Sequence, residues 1–550
     1  MSATHDPTDE LRTALGAPDA YPASISTSTV AIAETHISLV FLLDDDVFKV
    51  KKPLDLGFLD FSTLERREHF CREEVRLNRR LAPEVYRGVV PIVRRDGRIV
   101  VAGRDDGSEE PIEWAVHMTR LPDAARLADR LASQGPRDLE LDRSFWDRLG
   151  ARLAAFHAAA ERSEEISAGA HFSIVAENAR DNLTDTAPFI TRDDRSIAPL
   201  GTISPILHAK LTRATERALA AHEESIEARA ASGTPCDTHG DLRLDHVYHF
   251  PERTPPDDLV IIDCVEFSSR FRHADPISDA AFLSMDLRFA GEREAADRFD
   301  RAYLEASGDD GTLFPFYTAY RSAVRAKIDH LTLSHTTELS TEKRTRLEER
   351  ALGHWLLALG LLEEPRDRPA LVLVGGPPGC GNSTVAEGLA REAGFAWIRS
   401  DVVRKELFPD LAGRALYDEA RVEAVYEECR RRADGLLREG GRALIDATFH
   451  REAPRAAAGE LASIRRVPAL FIELDIDRES AHARIRARHD DPSDADAAVH
   501  DQLVARWEAC SAATRPIHTT VDASEGRAEV LDAALGRLRE RGMLEPSLRD

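Results

Sequence analysis

Cysteine is scarce and scattered. The six residues of a 550-residue chain, at 71, 236, 264, 380, 429 and 510, form no C-x-x-C pair. That excludes a disulfide framework and a tetrathiolate zinc site, and points to free thiols in a reducing compartment. Net positive charge is missing as well. The formal charge is -24, which argues against a protein that coats nucleic acid or an anionic membrane. The acids are spread along the chain rather than gathered in a tail, as a solvated surface requires. No uninterrupted apolar run approaches the roughly 20 residues of a membrane span. The opening MSATHDPTDE has neither the basic nor the apolar region of a secretory signal. No internal repeat or low-complexity tract is visible. The expectation is a soluble cytoplasmic protein with no nucleic-acid or membrane partner.

What is present suits large globular cores. The chain is 43% apolar and 31% charged, and its length calls for two or three domains. ISLVFLLDDDVFKVKK (37–52) reads as two strands joined by an acidic turn. STLERREHFCREEVRLNRRLAP has helical spacing, with Ser62 as N-cap and Pro83 as stop. GVVPIVRRDGRIVVAG and IEWAVHMTRLP extend a strand-rich N-terminal lobe, and helical patterns follow from about 122 to 230. Short strands return at HVYHF and DLVIIDCVEF, then helices run to about 362. EEPRDRP (363–369), charged and with two prolines, is the candidate linker. Beyond it ALVLVGG, FAWIRSD, GGRALIDATF and PALFIELDID alternate with helices, which implies a parallel sheet wrapped by helices.

GGPPGCGNST (375–384) follows the first of those strands and opens a helix. It fits the P-loop pattern G-x-x-x-x-G-K-[ST] except that Asn382 replaces the lysine. Gly376, Gly379 and Gly381 give the backbone freedom by which inward N–H groups cradle phosphate. Ser383 or Thr384 would place a hydroxyl on magnesium. Asparagine can donate a hydrogen bond but cannot neutralise charge. Its loss should slow transfer by roughly a hundredfold or more and weaken binding less. SDVVRKELF sets Asp401 and Arg404 at i and i+3, where a carboxylate can orient an acceptor hydroxyl and an arginine can hold a phosphate. Asp446 ends the strand in LIDATFH, a place for an acid facing magnesium or acceptor. Arg484, Arg486 and Arg488 precede an acidic loop and suit a lid over phosphates. On GGPPGCGNST, SDVVRKEL, LIDATF and RARHDDPSDAD, this half resembles the P-loop small-molecule kinases related to gluconate kinases, zeta-type toxins and the kinase half of polynucleotide kinase. The resemblance implies Asp401 as the acceptor-side acid and Arg484 or Arg488 as the lid arginine.

In the N-terminal half, CDTHGDLRLDHVYHF (236–250) precedes VIIDCVEF (260–267). H-G-D, a short apolar run and a strand ending in Asp is the order of the catalytic and metal-binding loops of protein-kinase-like folds. Phosphoryl transfer needs a carboxylate near the acceptor, a ligand a few residues on, and a carboxylate on the metal. Asp241, His246 and Asp263 occupy those places, with His246 standing where asparagine is usual; Glu266 could supplement the metal site. Lys49 and Lys51 share one face of a strand, and the pattern does not separate them, though Lys49 is preferred for the phosphates. Glu74, rather than its neighbour Glu73, sits where the lysine's partner belongs. With ETHISLVFLLDDDVFKVKKPLDLGFLDFSTLERR, HGDLRLDHV and IDCVEF…DAAFLSMDL, the first half resembles the aminoglycoside phosphotransferase-like family. The resemblance implies ATP, magnesium and a small hydroxyl acceptor. It also offers Asp279 as a buried brace of the catalytic loop, with a plain helix N-cap as the alternative.

The expected architecture is therefore mixed α/β and α+β. A bilobal protein-kinase-like domain (10–362) precedes a P-loop parallel α/β domain (369–545). The expected function is ATP-dependent phosphorylation of a small-molecule hydroxyl by the first domain, with nucleotide binding and impaired turnover in the second. A nucleotide-sensing regulator that binds ATP without transfer is the alternative.

Overall fold

A computed structural model describes residues 7–546 apart from 58, 104–108, 135–142, 192–201, 337–338, 412–417 and 488–495. By packing, the chain divides into two units: residues 1–175 with 223–317, and residues 176–222 with 318–550.

The first unit opens with an antiparallel sheet of β1 (Ala31–Glu34), β2 (Ser38–Leu42), β3 (Asp46–Lys51), β4 (Tyr86–Arg95), β5 (Arg98–Val101) and β6 (Pro111–Thr119). Their order is β1-β2-β3-β6-β4-β5. The acidic turn joins β2 to β3 as expected, pairing Leu42 with Val47. Alternation along β3 sorts its side chains between two cores. Phe48 and Val50 join Phe41, Ile92 and Ala115 on one face. Val47 joins Trp114, Val116 and Met118 on the other, against Cys71 and Val75 of the helix Leu64–Asn78.

That helix starts and stops differently from the sequence expectation. Its N-cap is Thr63, whose side chain accepts from the Arg66 amide. Ser62 is unavailable because its hydroxyl and its amide both donate to Asp60 Oδ1, at 2.6 and 3.0 Å. The helix ends at Asn78, ahead of Pro83, and a turn follows in which the Ala82 amide bonds Asn78 O at 2.8 Å. The rest of the unit holds the helices Arg143–Ala159, Pro276–Ala290 and Arg293–Ser307 and two strand pairs. β7 (Cys236–Asp237) pairs with β10 (His273–Ala274), and β8 (Val247–His249) pairs with β9 (Leu259–Ile261).

The second unit is built on a parallel sheet of β11 (Ala370–Gly375), β12 (Ala396–Arg399), β13 (Arg442–Asp446), β14 (Ala469–Asp475) and β15 (His518–Asp522). The strand order is β12-β13-β11-β14-β15. The first four coincide with the apolar runs read from the sequence. β15 was not expected, because the edge strand HTTVD buries only Val521 and leaves its threonines to solvent. Central β11 is buried on both faces, as a parallel strand wrapped by helices should be. Ala370, Val372 and Val374 face one core. Leu371 and Leu373 face the other, together with Leu207, Leu211, Trp355, Leu356 and Leu359. Helical segments that precede residues 363–369 thus pack on the parallel sheet, and the division by packing does not follow chain order. No described helix is long and apolar enough to cross a membrane. All six cysteines are free.

Candidate active site

In the first unit, β3 aims both lysines at one carboxylate. Glu74 is fully buried, and its two oxygens lie 2.9 Å from Lys49 Nζ and 2.8 Å from Lys51 Nζ. The lysines then diverge. Lys49 also pairs with Asp263 Oδ1 at 2.8 Å, beside the partly open end of that side chain. Lys51 is sealed from solvent, pairs with Glu266 and lies 4.9 Å over the Phe61 ring. Glu266 is thereby turned to Lys51 rather than presented as a further metal ligand. Glu73 points outward and pairs with Arg76 at 2.8 Å.

Two lysines against Glu74, Asp263 and Glu266 leave one uncompensated negative charge in the cluster. Burial opposes charge on each member, and the opposite charges outweigh it for Lys49, Lys51, Glu74 and Asp263. Both lysines are pushed above their ordinary range. Glu74 and Asp263 are held below theirs, Asp263 chiefly by Lys49 and His246 once burial is overcome. For Glu266 burial prevails, and its carboxyl is raised.

The loop carrying Asp241 is fixed from beneath. Asp279, fully buried, accepts from the amides of His239 and Gly240, each at 2.9 Å, and from His157 Nε2 at 3.1 Å. The N-cap of its helix is Asp275, so Asp279 is a brace and not a cap. His239 donates through Nε2 to Ile262 O at 3.0 Å, and burial lowers its pKa to about 4, so the ring is neutral. Arg243 Nε holds both oxygens of Asp241, at 3.0 and 3.2 Å. His246 Nδ1 donates to Asp241 O at 2.7 Å, which leaves the Nε2 lone pair 3.5 Å from Asp263 Oδ2. Arg243 Nη2 reaches the same Nε2 at 3.0 Å. Asp263 itself has φ 65°, a strained value for a non-glycine residue. Its amide donates to Tyr86 OH at 3.1 Å, and the next amide, of Cys264, donates to Asn78 Oδ1 at 2.8 Å.

Asp241, His246, Asp263, Lys49 and Glu74 therefore form one connected cluster. A carboxylate with an accessible oxygen and a residual negative charge fit a divalent cation such as magnesium, and His246 Nε2 could join it only by giving up its bond from Arg243. Arg243, Asn78 and Tyr86 were not foreseen. Only Asn78 left a sequence signal, since it lies four residues after Glu74, whose carbonyl its Nδ2 bonds at 2.9 Å.

In the second unit, the P-loop joins β11 to the helix Asn382–Ala393. Gly379 has φ 98°, and a Cβ there would lie 2.7 Å from Ala481 O; Gly381, at φ 96°, caps the helix. Asn382 does not extend as a lysine would. Its Nδ2 donates back to Gly376 O at 2.7 Å, closing the loop on itself. Ser383 Oγ donates to Asp446 Oδ2 at 2.8 Å, while Thr384 is exposed on the first turn. Burial pushes Asp446 up to about 6, with nearby Asp401 adding to the effect and the Ser383 bond opposing it. Arg404 pairs with Asp401 within the helix Ser400–Leu407. Arg484 reaches Cys380 O at 3.5 Å and Glu525 O at 3.3 Å, so one arginine of the lid motif lies on the P-loop. Arg488 falls outside the described residues. His500, not anticipated, braces the loop through Nδ1 to Pro378 O at 2.7 Å.

Comparison with known proteins finds a family match in each half of the chain. Residues 55–315 match the phosphotransferase enzyme family. Residues 371–510 match an AAA domain. Uncharacterized proteins of Mycobacterium tuberculosis (strain H37Rv) and Mycobacterium bovis are each 31% identical over 501 residues, which is 89% of this chain and 92% of theirs. Among solved structures, a sugar kinase of Janibacter sp. HTCC2649 is 17% identical with a TM-score of 0.26, covering 32% of this chain and 96% of its own. A gluconokinase of Sinorhizobium meliloti 1021 is 16% identical with a TM-score of 0.25, covering 32% and 94%.

Proposed function

This chain belongs to the same family as the mycobacterial proteins and joins a phosphotransferase-type domain to a P-loop, kinase-like domain, and from that premise we propose that it is an ATP-dependent phosphotransferase acting on a small-molecule hydroxyl. The observation that carries the reading is the single cluster of Lys49, Glu74, Asp263, His246 and Asp241. Lys49, held by Glu74, takes the ATP phosphates. Asp241, oriented by Arg243, accepts the proton of the acceptor hydroxyl as it attacks the γ-phosphorus and the bond to ADP breaks. Asp263 and His246 would hold magnesium in this site, and Ser383 and Asp446 would hold it in the second. When bound, magnesium supplies positive charge to the phosphate oxygens. In the second domain Gly376, Gly379, Gly381, Asn382, Ser383, Thr384, Arg484 and Arg488 bind nucleotide, and Asp401 and Arg404 face an acceptor.

The domain limits 10–362 and 369–545 and a cytoplasmic location belong to the same proposal. ATP and a small acceptor are the partners it names. A second reading, in which the P-loop domain senses nucleotide without transfer, draws support from Asn382, whose amide is spent on Gly376 O.

An ATP-consumption screen of the whole chain over sugars, amino-alcohols, nucleosides and aminoglycosides tests the main reading. One acceptor class should stimulate consumption, and Asp241→Ala should remove the stimulation by about a thousandfold. Stimulation that survives Asp241→Ala would sink the assignment.

A further inference from the structure

The first unit contains a cavity of about 570 Å³ distinct from the Asp241 cluster. Its walls carry Arg80, Arg148 and Arg152 with one carboxylate, Asp258, and its floor is apolar: Ala151, Ala155, Phe156, Pro255, Pro256 and Leu259. Ala151, Ala155 and Ala159 recur every fourth residue on the helix Arg143–Ala159, so one face of it carries no bulk and the cavity stays open. Three guanidiniums around one hollow are unexpected in a chain of net charge -24.

Two of the three are balanced. Arg148 Nε donates to Asp258 Oδ2 at 3.2 Å, and Arg80 Nη1 donates to Asp237 Oδ2 at 3.2 Å. Arg152 makes no ion pair with any described residue. Its Nη2 reaches only Leu81 O, at 3.3 Å, and its Nε is buried without a hydrogen-bond partner. Burial pushes its pKa down, with only Asp257 and Asp258 acting against it from a distance. A charged donor left in that state wants an anion, and guanidiniums favour one with several oxygens. An apolar floor favours a ligand with an apolar body.

Arg80 ties the cavity to the chemistry. Its guanidinium lies 4.9 Å over the Phe156 ring. From there it donates to Asp237 O at 2.7 Å, to Thr238 O at 3.1 Å and to Cys264 Sγ at 3.3 Å. Those residues lead directly into His239–Asp241 and follow Asp263. An anion that draws on Arg80 must therefore act on the supports of both carboxylates.

We propose that this cavity binds a small organic phosphate, its oxygens held by Arg152 with Arg80 and Arg148 and its body on the Ala–Phe–Pro floor, and that occupancy is transmitted to the Asp241 loop through Arg80. The transmission half rests on Asp241 being catalytic; the binding half does not.

Calorimetric titration of phenyl phosphate into the full chain, with both nucleotide sites saturated by a non-hydrolysable ATP analogue and magnesium, tests the binding. One site should appear. Arg152→Gln should weaken it at least about tenfold, and Ala155→Trp, which fills the hollow, should abolish it. Absence of binding, or equal binding by the parent and both variants, overturns the site. Benzoate binding as tightly as phenyl phosphate overturns the choice of phosphate. Hydrogen exchange read at the 238–241 amides should change on phenyl phosphate binding in the parent and not in Arg152→Gln. Unchanged exchange in the parent overturns the transmission while leaving the catalytic reading to its own test.

Discussion

The two kinase-like regions of this molecule are built from different material. In the first, charge is supplied by side chains and fixed in advance: Lys49 and Lys51 share Glu74, and Asp263 and Glu266 complete the lattice. In the second, the lysine charge of the P-loop pattern is absent, although Arg484 reaches the loop at Cys380 O. The cradle is backbone, and Asn382 closes the loop on Gly376 O where a lysine would reach outward. The difference separates holding phosphate from transferring it. Backbone N–H groups and a helix N-terminus suffice for the first task, while the second needs charge where charge develops.

The largest expected break in this comparison is Asp241→Ala, with its roughly thousandfold loss of acceptor-stimulated turnover. Next comes the lysine pair. Lys49→Met should lower turnover about a hundredfold or more with little change in melting temperature. Lys51→Met should instead destabilise the fold by about 3–5 kcal/mol, because it strands Glu266 in a buried site and leaves Glu74 with Lys49 alone. Thermal melts beside kinetics separate the two, and equal melting losses would show that β3 does not divide the lysines by role. Asn382→Lys should sharpen the second region. Restored charge should raise phosphoryl transfer there by up to about a hundredfold, measured in a Lys49→Met background. Unchanged transfer with retained nucleotide binding would favour the sensing reading.

The smallest effect expected is with pH. Asp263 is held below the carboxylate range, whereas Asp446 is raised to about 6. A raised carboxyl takes up its proton as pH falls through that value, so Asp446 loses its negative charge in mild acid. Magnesium–nucleotide affinity of the second site should drop roughly tenfold between about pH 7.5 and about pH 5. In a His246→Asn background, which leaves Asp263 as the titratable ligand, the first site should hold its affinity over the same range. Titrating a fluorescent ATP analogue against variants that silence one site at a time reads the difference. Parallel pH profiles would contradict it.

Much of this was legible without coordinates, for particular reasons. The strands β11, β13 and β14 announce themselves as apolar runs because a central parallel strand is buried on both faces. β15 does not, since an edge strand needs to bury only one residue in five. Glu74 could be chosen over Glu73 from its place in a known order of residues. The caps were harder. The sequence offers Ser62 as the N-cap, and the bonds of Ser62 to Asp60 leave the role to Thr63.

The sequence by itself determined which residue types could perform phosphoryl transfer and in what order the chain presents them. Asp241, His246 and Asp263 could be named as candidates from loop motifs and a strand end, and Glu74 and the Lys49–Lys51 pair from their order in the chain. Tertiary structure alone decided how they are supported. Lys49 and Lys51 have the same local pattern, and their difference arises from Asp263 and Glu266, more than two hundred residues away. Arg152 is the same case in reverse. Nothing near it in the sequence marks it as unusual, because the absence of a counter-charge is a property of the space around a side chain.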